Sequence, residues 1–452
     1  MLNSINPYTQ KLIAEYTEHT LEELDSITTK SSQAFLAWKN NSFEERAHFF
    51  KNLAAVLLSE KLNYAQLITT EMGKPLKEAV GELEKCATSI LYYAEHAEAF
   101  LQPTTIKTEA SSSYVVYEPI GILLALMPWN FPFWQVIRCA APAMMAGNTV
   151  LLKLAPNTTG CAIAIEEAFL KAGFPKGCFQ SLRIQNETTS YLIKEKAVRA
   201  ISLTGSERAG SIVASEAGKY LKKSVLELGG SDPFIVLEDA DIDYASKMAV
   251  IARLQNAGQS CIAAKRFILH KKIATSFIEK LIEQLNVLKI GDPLDSSTDI
   301  GPLTKRDLKT TLLDQVKKSI SKGAIVFYGS LDESEDLLFK PLILTNVKQG
   351  MPAWDEELFG PVFSIREVET AAEAIEAANQ SPYGLGASIW TTDLTKAKKL
   401  ALEIECGMVF INELVHSDVR LPFGGSKLSG FGRELSEVGM KEFVTIKTIY
   451  VK

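Results

Sequence analysis

Three polar side chains stand in settings that suit covalent chemistry. Cys261 lies within NAGQSCIAAKR, between small and amide residues. Glu227 closes the apolar run of VLELGG, and Asn130 is framed by Trp129 and Phe131-Pro132 in MPWNFP. A thiolate is a strong nucleophile toward a carbonyl carbon once a neighbouring base or field favours its ionisation. A carboxylate among apolar residues is costly to bury unless it is used. An amide in a stiff frame is aimed before charge develops on an oxyanion. Each residue also has an ordinary reading: Cys261 as a small core side chain, Glu227 as a strand-end surface residue, Asn130 as a cap with Pro132 early in its helix.

A second group suits a phosphate-bearing ligand. In LTGS a strand meets Gly205-Ser206, with Gly210 inside the helix that follows. Glycines let a ligand approach the backbone, and the helix start offers free N–H groups to phosphate oxygens. Lys153, in LLKLAP at the end of another strand, can reach a ribose hydroxyl or a phosphate. The turn is not GxGxxG, and a generic strand-to-helix turn explains it equally well. Both features fall at strand C-termini, where open α/β sheets bind ligands.

The elements that must position these residues alternate. The first hundred residues read as helices, with Ser42 and Glu45 forming a capping box. SSSYVVYEPIGILLALMPW reads as a strand pair broken at Glu118-Pro119. NTVLLKLAP, CFQSLRI, VRAISLTGS and KSVLELGG then alternate with helical stretches, which specifies a parallel sheet covered on both faces. A second series begins at DPFIVLED, so the chain holds two α/β units joined near Gly229-Gly230.

Composition excludes several functions. A net charge of −6 without a long basic cluster argues against nucleic acid as a partner. The most apolar stretch, IGILLALMPWNFPFWQVIRCAAPAMMAG, carries Pro128, Pro132, Pro142 and Arg138, whereas a membrane span needs about 20 apolar residues in a row. Five histidines without ligand spacing and six cysteines without a CxxC pair argue against a metal site. The polar N-terminus with Pro7 does not read as a signal peptide, so the expectation is a cytoplasmic protein with reduced thiols.

MPWNFP, KLAP, LTGS, LELGG, NAGQSC, EELFGP and PFGGSKLSGFGRE occur in this order along the chain. The combination resembles the aldehyde dehydrogenase superfamily over essentially the whole sequence, and most of all the short bacterial NAD(P)-dependent succinate-semialdehyde dehydrogenases. The resemblance implies an α/β protein with two Rossmann-like parallel-sheet domains and a small bridging β element that joins protomers. The cofactor-binding domain is expected at 1–105 and 122–229, the catalytic domain at 230–428, and the bridging strands at 106–121 and 438–452. A homodimer or homotetramer follows.

The same resemblance implies the roles. Cys261 is the nucleophile that forms a thiohemiacetal and then a thioester, Asn130 stabilises the oxyanion, and Glu227 activates the hydrolytic water. Trp129, Lys153, Pro156, Gly205, Ser206, Leu228, Glu357 and Phe359 fall at cofactor-binding positions. Many NAD-preferring relatives carry a glutamate where this chain has Pro156, so nothing obvious repels a 2′-phosphate and the choice between NAD and NADP is open. Arg138, about two helical turns beyond Asn130, matches a carboxylate-binding arginine, and Ser417 matches a substrate-binding serine. Gln255 stands where better-known members carry a second arginine. Arg138 reads alternatively as a salt-bridged helix residue. Rival readings are oxidation of another aldehyde, or transfer of the acyl group to coenzyme A, which the Glu227 base disfavours.

Overall fold

The computed structural model describes residues 1–452. Its first sheet is built on β1 (Ile122–Met127), β2 (Thr149–Leu154), β3 (Val198–Thr204) and β4 (Lys223–Glu227), which pair in parallel in the order β4, β3, β1, β2. Every residue of β1 and β2 is buried, the pattern of strands covered on both faces. Phe179–Ser181 extends the sheet beyond β2, and Gly430–Phe431 adds an antiparallel edge to β4.

The chain then crosses at Leu228–Ser231 to a second sheet of seven strands, with β5 (Asp232–Val236) and β6 (Ala264–His270) paired in parallel near its middle. Only its edge strand Ile325–Tyr328 runs antiparallel. Four helices position the residues of interest: α1 (Leu76–Phe100), α2 (Trp134–Met145), α3 (Glu207–Lys219) and α4 (Ile242–Leu254). The Ser42 capping box is present, with Glu45 reaching back to the Ser42 N–H.

Two expectations are corrected. Ser112–Pro119 and β1 do not pair with each other. Ser112–Pro119 joins a separate three-stranded sheet with Thr104–Thr105 and Val444–Val451, while β1 enters the centre of the first sheet. The break is Gly121, whose φ of 133° permits the turn and whose Cβ would strike the Arg199 side chain at 2.7 Å. The N-terminal region is also not wholly helical: Leu2–Ile5 and Leu12–Tyr16 form a hairpin ahead of the first helix. No helix is long and apolar enough to cross a membrane.

Candidate active site

Cys261 follows a backbone that few sequences tolerate. Asn256 and Ala257 both have φ of 53°, and Gly258 follows at 76°. Three successive left-handed residues are strained unless their surroundings hold them, and such strain gathers at functional sites. A Cβ on Gly258 would lie 2.6 Å from the Gly360 backbone, so only glycine fits there. The amides of NAGQSC supply the hold. Asn256 Nδ2 donates to the Asn130 carbonyl at 2.9 Å and to the Gln259 carbonyl at 3.2 Å. Gln259 Nε2 donates to the Asn256 carbonyl at 3.1 Å, and its Oε1 accepts the Thr304 N–H at 2.9 Å.

Asn130 is buried in the same network, with Nδ2 donating to the Gln259 carbonyl at 3.0 Å. An amide NH2 has two hydrogens, so one donor is left for a developing oxyanion.

Two cavities meet at Cys261. One, of about 280 Å³, is lined by Arg138, Gln255 and Ser417 together with Lys85, Trp134 and Phe423. The other, of about 460 Å³, is lined by Trp129, Asn130, Gly205, Ser206, Leu228, Glu357 and Phe359. The structure brings the named substrate residues to one cavity and most of the named cofactor residues to the other, while Lys153, Pro156 and Glu227 line neither.

The larger cavity suits a nicotinamide dinucleotide. Phe359 and Trp129 meet edge to face at 5.9 Å, an apolar platform beside Cys261. Glu357 Oε1 accepts the Gly230 N–H at 3.1 Å and pairs with Lys265 at 3.1 Å. A Cβ on Gly229 would come within 2.6 Å of that carboxylate, so the glycine admits it. Gly210 likewise admits Leu228, whose Cδ1 would lie 2.5 Å from an added Cβ. At the far end α3 begins with Ser206 accepting the Ala209 N–H, while the Glu207 and Arg208 N–H groups bond to nothing in the protein. Free N–H groups at a helix start suit a pyrophosphate.

Lys153 lies at the end of β2 with its ammonium on Asn186 Oδ1. Its pKa is pushed down to about 8, by burial first and then by Lys305. Pro156 opens a short 3₁₀ turn and places no carboxylate near that pair.

The electrostatics put the reacting groups in their neutral forms. Burial raises the Cys261 thiol to about 12, against the pull of Arg138 and Lys265. Burial, and then Glu434, holds the Glu227 carboxyl well above the usual carboxylate range. Neither Glu227 oxygen has a hydrogen-bond partner, and a Cβ on Gly424 would lie 2.5 Å from Oε1. Glu227 is thus a buried carboxyl that no protein donor holds in place.

Arg138 is more constrained than its sequence suggested. It forms a buried ion pair with Glu434, donates to Thr204 Oγ1 at 3.3 Å, and lies 4.5 Å from the centre of the Phe423 ring. It lines the smaller cavity with its charge already answered.

Sequence reasoning missed the residues that hold this arrangement. Arg253 on α4 donates to the carbonyls of Val362 at 2.8 Å and Leu358 at 2.7 Å, and also to Gly360, so it fixes the EELFGP loop. Lys265 fixes the nucleophile loop. Lys85 was also missed.

The whole-chain comparisons agree with this geometry. The model of the aldehyde dehydrogenase family matches residues 1–449. A probable NADP-dependent succinate-semialdehyde dehydrogenase of Synechocystis is 46% identical over 99% of both chains. A succinate semialdehyde dehydrogenase of Escherichia coli that uses NAD or NADP is 43% identical, over 99% of this chain and 97% of its own. Among solved structures, the succinic semialdehyde dehydrogenase of Streptococcus pyogenes with NADP+ superposes with a TM-score of 0.97 at 39% identity, covering both chains fully.

Proposed function

Because the chain belongs to the aldehyde dehydrogenase family, we propose that its two cavities bring an aldehyde and a nicotinamide cofactor to opposite sides of Cys261. The protein is an NAD(P)-dependent aldehyde dehydrogenase. A nicotinamide held there would supply the hydride acceptor. Everything else falls to the chain's own residues.

The Cys261 thiol gives its proton to solvent water, and the thiolate adds to the aldehyde carbon. One Asn130 N–H and the Cys261 backbone N–H stabilise the resulting oxyanion. Loss of hydride leaves a thioester on Cys261. Glu227 then turns toward it and takes a proton from the water that releases the acid. Trp129 and Phe359 would face a nicotinamide, Glu357 would hold its ribose, Gly205, Ser206 and Leu228 would line the cofactor cavity with Gly205 and Ser206 at the pyrophosphate, and Lys153 beside Pro156 would bind the adenosine ribose.

The substrate is succinate semialdehyde. Arg138, Gln255 and Ser417 lining the smaller cavity support this reading, as do the names of the relatives. The observation that carries it is that Cys261 borders both cavities. An aldehyde panel tests it: succinate semialdehyde should exceed butanal in kcat/KM by roughly ten- to hundred-fold, the worth of a charge-assisted pair. Equal rates would sink the substrate assignment.

The assembly is a homodimer or a dimer of dimers, in the cytoplasm. Val444–Val451 forms one edge of the three-stranded sheet and exposes Ile446, Tyr450 and Val451. An edge of that kind favours addition of a partner's strand.

A further inference from the structure

The smaller cavity takes its charge mainly from α1, which contributes Glu78, Glu82 and Lys85 to the lining. Most of the charges around it are already matched. Glu82 Oε1 accepts the N–H groups of Phe133 and Trp134, each at 2.9 Å, and its other oxygen pairs with Lys74. Glu78 accepts the Asn256 N–H at 2.8 Å, and burial raises its pKa to about 7. Asp418 is gripped by Arg420 through bonds of 2.9 and 2.6 Å. Arg138 is answered by Glu434.

Lys85 is the remaining cation, and it forms no ion pair. Its ammonium donates to Ser417 Oγ at 2.6 Å and lies 4.5 Å from the centre of the Trp134 ring. An ammonium carries three donors, and Ser417 takes one of them. A cation beside a buried tryptophan, with Glu82 and Asp418 nearby but bound to Lys74 and Arg420 and outside ion-pair distance of it, is costly to keep unless a ligand brings the anion.

We propose that Lys85, with Ser417, binds the carboxylate at the far end of the substrate chain. The inference rests on the semialdehyde reading above and names the cation that performs the recognition. Arg138 orders the cavity wall and adds positive potential, with its Nε edge paired to Glu434 and one Nη2 hydrogen given to Thr204. Lys85 brings the unmatched charge, and Ser417 receives one of its N–H groups and turns its own hydroxyl hydrogen to the carboxylate.

The charge on Lys85 is sensitive to pH. Burial first, and then Arg138, pushes its pKa down to about 8. The groups facing it are Glu82 and Cys86 on its own helix, Arg138 from α2 and Asp418 from the loop after Ser417. An ammonium is charged below its pKa, so carboxylate binding is full below about pH 8 and weakens above it.

The test compares succinate semialdehyde with butanal in the wild-type enzyme and in Lys85→Met and Lys85→Gln. The expected result is a wild-type preference for the semialdehyde. The ratio of the two kcat/KM values then falls roughly ten- to hundred-fold in both variants, with the change in KM. In the wild type, KM for the semialdehyde should climb above about pH 8 relative to KM for butanal. That profile needs no variant, so it decides the matter if neither substitution folds. A wild type that prefers the semialdehyde, with variants that keep the preference or with no relative change in KM across pH 8, overturns the role of Lys85 and leaves the substrate reading standing. A wild type without any preference overturns the substrate reading, and the role of Lys85 with it.

Discussion

The ammonium of Lys265 donates to the carbonyl oxygen of Cys261 at 2.7 Å. The same ammonium donates to the Ser260 carbonyl at 2.8 Å and pairs with Glu357 at 3.1 Å. One cation on β6 thus ties the nucleophile's backbone to the carboxylate assigned to the cofactor ribose. Lys265→Met leaves the Ser260 and Cys261 carbonyls without this donor and leaves Glu357 with only the Gly230 N–H. The expected cost is about 3 kcal/mol of stability, with a raised KM for the cofactor. Thermal melts and cofactor titrations check both, and unchanged values in each would show that Lys265 holds nothing.

Glu227 offers a stability test that is independent of turnover. Its carboxyl pKa is raised in the folded state, by burial first. The folded protein therefore holds this proton over a range in which the unfolded chain has lost it. Stability declines through that range as pH rises from the unfolded value of about 4.3 toward the folded one. Glu227→Gln removes the decline, so its Tm should exceed the wild-type Tm by more at pH 8 than at pH 5. A difference that does not grow with pH would mean that the carboxylate is better solvated than its burial indicates.

The same shift gives turnover a direction. Cys261 acts as a thiolate and Glu227 as a carboxylate, and burial disfavours both charged forms. Activity on butanal, which brings no charge of its own, should rise from pH 6 to pH 9. A fall over that interval would contradict the assignment of these two groups.

Cofactor choice turns on the end of β2. Lys153 there feels the charge of Lys305 and, more weakly, of Glu187, and Pro156 adds no carboxylate. NADP should be used at least as efficiently as NAD. Pro156→Glu should reduce kcat/KM for NADP roughly tenfold or more relative to NAD, because a carboxylate repels the 2′-phosphate. Steady-state kinetics with both cofactors decide this, and an unchanged ratio would put the discrimination elsewhere.

The parts legible in the sequence were those written locally. Cys261, Asn130 and Glu227 each sit in a short motif, and the alternation of strands and helices revealed the parallel sheets. What stayed hidden depends on partners distant along the chain. Lys85 reads as a solvated helix position beside Glu84, and only the arrival of Ser417 and Trp134 leaves it half-buried at the cavity. Arg138 meets Glu434 from the far end of the sequence, in a motif that carried the family resemblance but no role for the glutamate. The N-terminal hairpin was missed because no residue of Leu12–Tyr16 is fully buried, so the strand lacks an apolar face to announce it. The local pattern alone read Ser112–Pro119 as pairing with its neighbour in sequence, whereas the resemblance grouped it with the C-terminal strand, which is its partner.

The account stands or falls on a covalent acyl group at Cys261. Glu227→Gln should form the thioester and hydrolyse it slowly. Mixing that variant with NADP and succinate semialdehyde, quenching in acid and taking peptide masses reads the intermediate directly. The account predicts one acyl group on the peptide that contains Cys261, formed together with one equivalent of NADPH. NADPH released without any acylated peptide, or an acyl group on another cysteine, would contradict it.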